Sequence, residues 1–272
     1  MHLYIPFVIL LSIFVLLSKS TKLSSSYHFR RYIRNISPKV YSVKVNKSPI
    51  FFTQRYLSLL QEIPNNKKQI LIKYTHAMNR FFSENDLQNL ANIKTNYIMS
   101  VTGLEKNMPF TLANNIILPK KIINKLSNNI DPSILETIVH EKLHIIQRIK
   151  QQRFDNFYIK SYPFLYKKIP LEYLPSHLKD IHMTNPDNNF SLWLYKIKNI
   201  IYIPILEYSN QKLSNTAYEY YNTKQKYLLD TLLEKRFSQP HPNEIFAYST
   251  SKEFIKNNVP KTKITFLRTL KF

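Results

Sequence analysis

Between positions 134 and 149 apolar residues recur every three to four positions. Ile134, Leu135, Ile138, Leu143, Ile145, Ile146 and Ile149 form a broad stripe that predicts an amphipathic helix. Asp131 or Ser133 can cap it, Pro132 suits its first turn, and Ser133 with Glu136 fits a capping box. Neither Gly nor Pro interrupts the run as far as Phe154. Other segments are shorter. A helix is predicted over 54–62, a strand over the β-branched run 68–74, and a helix opening at Ser83 that carries Leu87, Leu90 and Ile93. A strand over 111–118 stops at Pro119 and lies just ahead of the long helix, where an extended peptide could add to its edge. The aromatic stretch 154–193 is broken by Pro163, Pro170, Pro175 and Pro186 and reads as irregular structure with short helices. Asn185-Pro186-Asp187 marks a turn there. Strands follow over 195–208, a helix over 223–237, and a strand or tail over 261–272.

Residues 3–17 are almost continuously apolar, short for a spanning helix and close to a signal-peptide core. With Lys19 and Lys22 just behind, the run predicts a membrane anchor with the body on the cytoplasmic side. Cleavage near Ser18 or Ser20 would instead make the protein secreted. No acidic residue precedes Glu62, while Arg30, Arg31, Arg34, Lys39, Lys44 and Lys47 predict a basic linker suited to anionic head groups. The expected organisation is an anchor or signal over 1–20, a linker over 21–50, a single globular domain over 51–260 that holds the long helix, and a basic tail over 261–272. The expected fold class is α+β: a mainly helical domain with a small sheet ahead of the long helix, preceded by the hydrophobic anchor.

Composition narrows the chemistry. The chain has 272 residues, one Gly and no Cys, so there is neither a disulfide framework nor a thiolate metal site, and any metal must be held by His and carboxylates. The net charge of +22 admits a nucleic-acid partner. The lysines are dispersed, however, and no recognised nucleic-acid module accompanies them, so drifted surface composition is the preferred explanation.

The long helix carries His140-Glu141-Lys142-Leu143-His144. Histidines four apart leave one helix face about 40° from each other, which suits two nitrogen ligands of a tetrahedral Zn²⁺. Glu141 can lean toward a water at such a site without being a ligand. A catalytic zinc needs a third protein ligand. The extended form with Gly and a third His further along the helix is excluded, because Gln147 and Lys150 stand at those positions. Glu244 is the favoured candidate: Pro242 opens a new helix, Glu244 falls in its first turn, and Ile245, Phe246 and Ala247 pack behind. His241, His177, His182 and Glu207 are rivals. A Glu in a first turn is also favourable on dipole grounds alone.

These two motif regions, about 111–147 and 240–248, resemble the glutamate-zincin metallopeptidases, including those encoded by large DNA viruses. The resemblance implies zinc held by His140, His144 and Glu244, with Glu141 as the base that activates water against a peptide or protein substrate. The sequence departs from the family in one respect: the acidic residue expected four after the ligand Glu is Tyr248. An oxyanion donor could be any of Tyr202, Tyr208, Tyr218, Tyr221 and Tyr248. Two rival functions stay open: a membrane-tethered binding protein with a non-catalytic zinc, and a basic nucleic-acid-binding protein.

Overall fold

The computed structural model describes residues 27–36, 40, 44, 52–101, 103–188, 191–209, 212–256 and 259–270. Its helices are α1 (Tyr27–Arg34), α2 (Phe52–Ser58), α3 (Asn65–Glu84), α4 (Gln88–Ala91), α5 (Lys120–Lys125), α6 (Pro132–Ile149), α7 (Gln151–Ser161), α8 (Ser176–Lys179), α9 (Leu229–Leu232), α10 (Pro242–Ile255) and α11 (Lys261–Arg268). A four-stranded sheet has the order β1 (Leu60–Gln61), β2 (Asn96–Ser100), β4 (Asn115–Pro119), β3 (Phe110–Leu112). A five-stranded antiparallel sheet runs in sequence order: β5 (Leu165–Pro170), β6 (Ser191–Ile197), β7 (Ile200–Ser209), β8 (Lys212–Glu219) and β9 (Lys226–Leu228).

The motif helix α6 is central. It packs chiefly against α10, and also against α3 and the β3–β4 hairpin. Its start is as the sequence suggests, with Pro132 in the first turn and the Asp131 carboxylate accepting from the Ser133 N–H at 2.8 Å. Ser133 donates its hydroxyl to Asp131 as well, so Asp131 is the cap and the Ser133–Glu136 box does not form. Ile138, Leu143, Ile145 and Ile146 are fully buried in the main core with Tyr74, Met78, Phe154 and Phe246.

The expected fold class needs correcting. A small sheet does precede α6, but the larger sheet follows it, in a region expected to be partly irregular and helical. There the alternation of period two is buried on both faces. Trp193 and Tyr195 join the main core, whereas Leu192 and Leu194 enter a separate cluster with Ile203 and Ile205. The expected helix over 223–237 is instead β9, the short α9 and a 3₁₀ turn, Lys235–Phe237. The hydrophobic anchor expected ahead of the domain is a separate matter. Among the described residues no helix is long and apolar enough to cross a membrane. The run 3–17 lies outside those residues. Part of the stretch read as linker is α1, whose Phe29 and Tyr32, with Ile36 just beyond, are buried in a second core cluster with Tyr56 and Phe110.

Three smaller differences follow. The expected strand 68–74 lies inside α3, where Leu71, Tyr74, Met78 and Phe82 are buried at helical spacing. That period over twenty residues outweighs a short β-branched run. Residues 261–268 form α11, which buries Ile264 and Leu267. Residues 111–118 are a hairpin and not one strand. Of the two hairpin strands β3 is the one at a sheet edge, and its Thr111 N–H is taken by the Asp187 carboxylate at 2.9 Å, so that edge position is closed to an added peptide.

Candidate metal centre

One turn of α6 brings the two imidazoles together, with His140 Nε2 and His144 Nε2 2.9 Å apart and the rings nearly perpendicular at 82°. The third donor comes from α10. His241 caps that helix, its Nδ1 accepting from the Asn243 N–H at 3.1 Å, and Pro242 fills the first turn. Glu244 follows, its Oε2 3.4 Å from His140 Nε2 and its Oε1 3.5 Å from His144 Nε2. Behind it Phe246 meets Phe154 edge-on at 5.3 Å and seats α10 against the helix that follows α6. His140, His144 and Glu244 thus offer three donor atoms within 4.8 Å of one another, close enough to hold a metal ion.

The rivals for the third position fall elsewhere. His241 is occupied as a cap. His182 lies in a β-bridge with Glu207, and Glu207 itself accepts from Thr216, Tyr218 and Lys226. His177 sits on the short α8, outside the cluster.

The electrostatics suit a cation. Burial pushes the His144 imidazolium down, but the Glu244 and Asp187 carboxylates outweigh this and lift it to about 10. His140 is lowered, by burial and then by the charge of His144. Burial raises Glu244, yet the two histidines hold it well below the usual carboxylate range. Three electron-rich donors facing each other in so small a space need a shared proton or a cation between them. Beside them Glu141 is buried, its Oε2 without a hydrogen-bond partner among the described residues. Burial and then the nearby Asp187 charge push the Glu141 carboxyl well above its ordinary value.

Several contributors escaped the sequence reading. Asn185 donates its amide to Glu244 Oε1 at 2.7 Å. Asp187 accepts from Thr111 and stands 3.5 Å from the Arg148 guanidinium, which also donates to the Ala113 carbonyl at 2.6 Å. Gln147 lies 2.7 Å from His144 Nδ1. The only signal for Asn185 and Asp187 was a turn motif, and nothing local says that this turn folds back onto α10. Tyr248, in place of the expected acidic residue, sets its ring on His140 at 4.5 Å and remains about half exposed. Of the five tyrosines considered as oxyanion donors it alone lines the cleft.

That cleft has a volume of about 470 Å³ and runs from Glu136, His140 and Tyr248 past the donors to Lys44, Glu105 and His182. At its far wall Lys44 Nζ donates to Glu105 Oε2 at 2.5 Å and to the Thr184 carbonyl at 2.7 Å. Tyr32 and Tyr56 both donate to Glu105 Oε1, the latter at 2.8 Å. Compared with protein families, curated proteins and solved structures, the chain matches none.

Proposed function

We propose that the protein is a zinc-dependent hydrolase of peptide bonds, with zinc held by His140, His144 and Glu244. The donor set fits: two imidazoles and one carboxylate are a common catalytic zinc set and leave a coordination position open. When bound, zinc supplies a Lewis acid that brings the pKa of a water near neutrality. The observation that carries the reading is Glu141, a buried carboxylate whose Oε2 has no partner among the described residues, on the cleft wall beside the donors. An unsatisfied buried carboxylate oxygen is costly, and this one belongs to the residue that directly follows the donor His140. Glu141 takes the proton of the attacking water and hands it to the leaving amine. Tyr248, half exposed on the cleft wall and edge-on to His140, is the donor nearest to hand for the developing oxyanion. A peptide or protein is the substrate class that this chemistry suits.

The test uses the full chain. Elemental analysis should find one zinc per molecule in the wild type and a loss in His140→Ala. Glu141→Gln should keep zinc while hydrolysis of a peptide library falls about 10²–10⁴-fold. Zinc with no turnover on any peptide would leave a non-catalytic metal site, and a Glu141→Gln variant with wild-type turnover would remove the assigned base.

A further inference from the structure

Gln147 and Asn185 are the two neutral amides nearest the donors, and backbone groups define which way each faces. Gln147 Nε2 lies 3.0 Å from the Asn243 backbone carbonyl and 3.0 Å from the Tyr158 hydroxyl. A carbonyl oxygen only accepts, so the atom facing it must be the amide NH₂. The Gln147 oxygen is therefore the atom 2.7 Å from His144 Nδ1, and that nitrogen must carry a proton to donate. With Nδ1 protonated, the lone pair of the neutral ring is on Nε2, the atom that faces His140 and Glu244. Asn185 is defined in the same way. Its Oδ1 accepts from the Asp187 backbone N–H at 2.9 Å, so its NH₂ is the group that meets Glu244 Oε1 at 2.7 Å.

The two amides are joined. Asn243, whose carbonyl receives Gln147, donates its own side-chain amide to the Asp187 carbonyl at 3.3 Å, and the Asp187 N–H returns to Asn185. The chain of contacts His144–Gln147–Asn243–Asp187–Asn185–Glu244 closes on itself where Glu244 faces His144 at 3.5 Å. All of its members except Asn185 are buried.

We propose that Gln147 and Asn185 are positioning residues of the metal site: Gln147 selects the His144 tautomer that presents Nε2, and Asn185 sets the rotation of the Glu244 carboxylate. This rests on the metal reading above and adds the reason why Tyr248 can stand where a buttressing carboxylate was expected. Partners that orient metal ligands are worth about 10–100-fold in affinity.

The experiment measures zinc affinity of the full chain by chelator competition, with the thermal melting point of the zinc-free protein alongside. Gln147→Ala should bind zinc about 10–100-fold more weakly. Gln147→Glu, which can still accept from His144 Nδ1 but cannot donate to Asn243, should recover most of that affinity. In zinc-loaded wild type and Gln147→Glu the His144 Nδ1 proton should give a slowly exchanging resonance that Gln147→Ala lacks. Asn185→Ala gives an independent arm if Gln147→Ala does not fold, and it too should weaken zinc. Zinc binding in Gln147→Ala and Asn185→Ala equal to wild type would overturn this inference alone. So would a Gln147→Glu variant as weak as Gln147→Ala, because Gln147 would then be only a brace between α6 and α10. A wild type that binds no zinc would overturn both this inference and the function it rests on.

Discussion

The two ends of the cleft hold buried polar clusters of similar make-up and opposite condition. At one end Glu105 accepts from Lys44, Tyr32 and Tyr56, and Lys44 donates to Glu105 and to the Thr184 carbonyl. At the other end two Nε2 atoms lie 2.9 Å apart, a carboxylate faces both, and Glu141 Oε2 has no partner among the described residues. The first cluster uses its hydrogen-bonding capacity on the protein itself. The second leaves capacity toward a common centre. A buried polar group without a partner costs free energy, so an unfinished cluster points to chemistry and a finished one to architecture. The backbone agrees. Glu105 and Lys106 are held at φ 47° and 57°, a left-handed conformation that costs about 1–2 kcal/mol per residue and that the Lys44–Glu105 pair secures.

Breaking the finished cluster should have the largest effect on stability. Lys44→Met strands the Glu105 carboxylate, and removing one partner of a buried pair typically costs about 3–5 kcal/mol. Denaturant unfolding should show that loss while the folded fraction keeps its zinc. Unchanged unfolding would break the contrast, since Lys44 would then be a bystander. The pH dependence of zinc affinity comes next. Its sign follows from His144, which keeps its proton up to about 10 in the metal-free protein. Zinc must displace that proton throughout the neutral range. Affinity should therefore fall as pH falls, by about tenfold per pH unit for one displaced proton. Calorimetry in buffers of different ionisation enthalpy would detect the proton directly, and a flat affinity from pH 6 to 8 would contradict it. The smallest effect sharpens the contrast most. Glu141→Gln replaces a buried carboxyl whose charged form burial disfavours, so the zinc-free protein should be no less stable than wild type, to within about 1 kcal/mol. A large destabilisation would mean that Glu141, like Glu105, is a structural carboxylate.

Legibility followed range in sequence. Helix α6 and its His140–Glu141–His144 spacing needed only local rules, because cap, proline and apolar stripe all lie within about five helical turns. Glu244 was reachable as a candidate for the same reason: His241, Pro242 and the apolar residues behind it mark the first turn of a helix. The strand expected at 68–74 failed because a few β-branched residues were weighed without the longer period that binds Leu71 to Phe82. The five-stranded sheet was under-read because β6, buried along most of its length, shows no polar alternation, while β5 and β9 are short and largely exposed. Gln147 stands only three residues beyond His144, yet its role depends on the carbonyl of Asn243 on another helix.

From its own order of residues the chain determined the helix that presents two imidazoles, the capped turn that presents a carboxylate, and the absence of any thiolate alternative. Those follow from short-range geometry, which every segment carries with it. Tertiary structure alone decided that Glu244 and not His182 or Glu207 meets the imidazoles, that the 185–187 turn reaches Glu244, and that Lys44 closes the far wall. Each of these joins groups brought together from distant parts of the chain, and such meetings depend on how whole faces pack, a property no window of sequence contains.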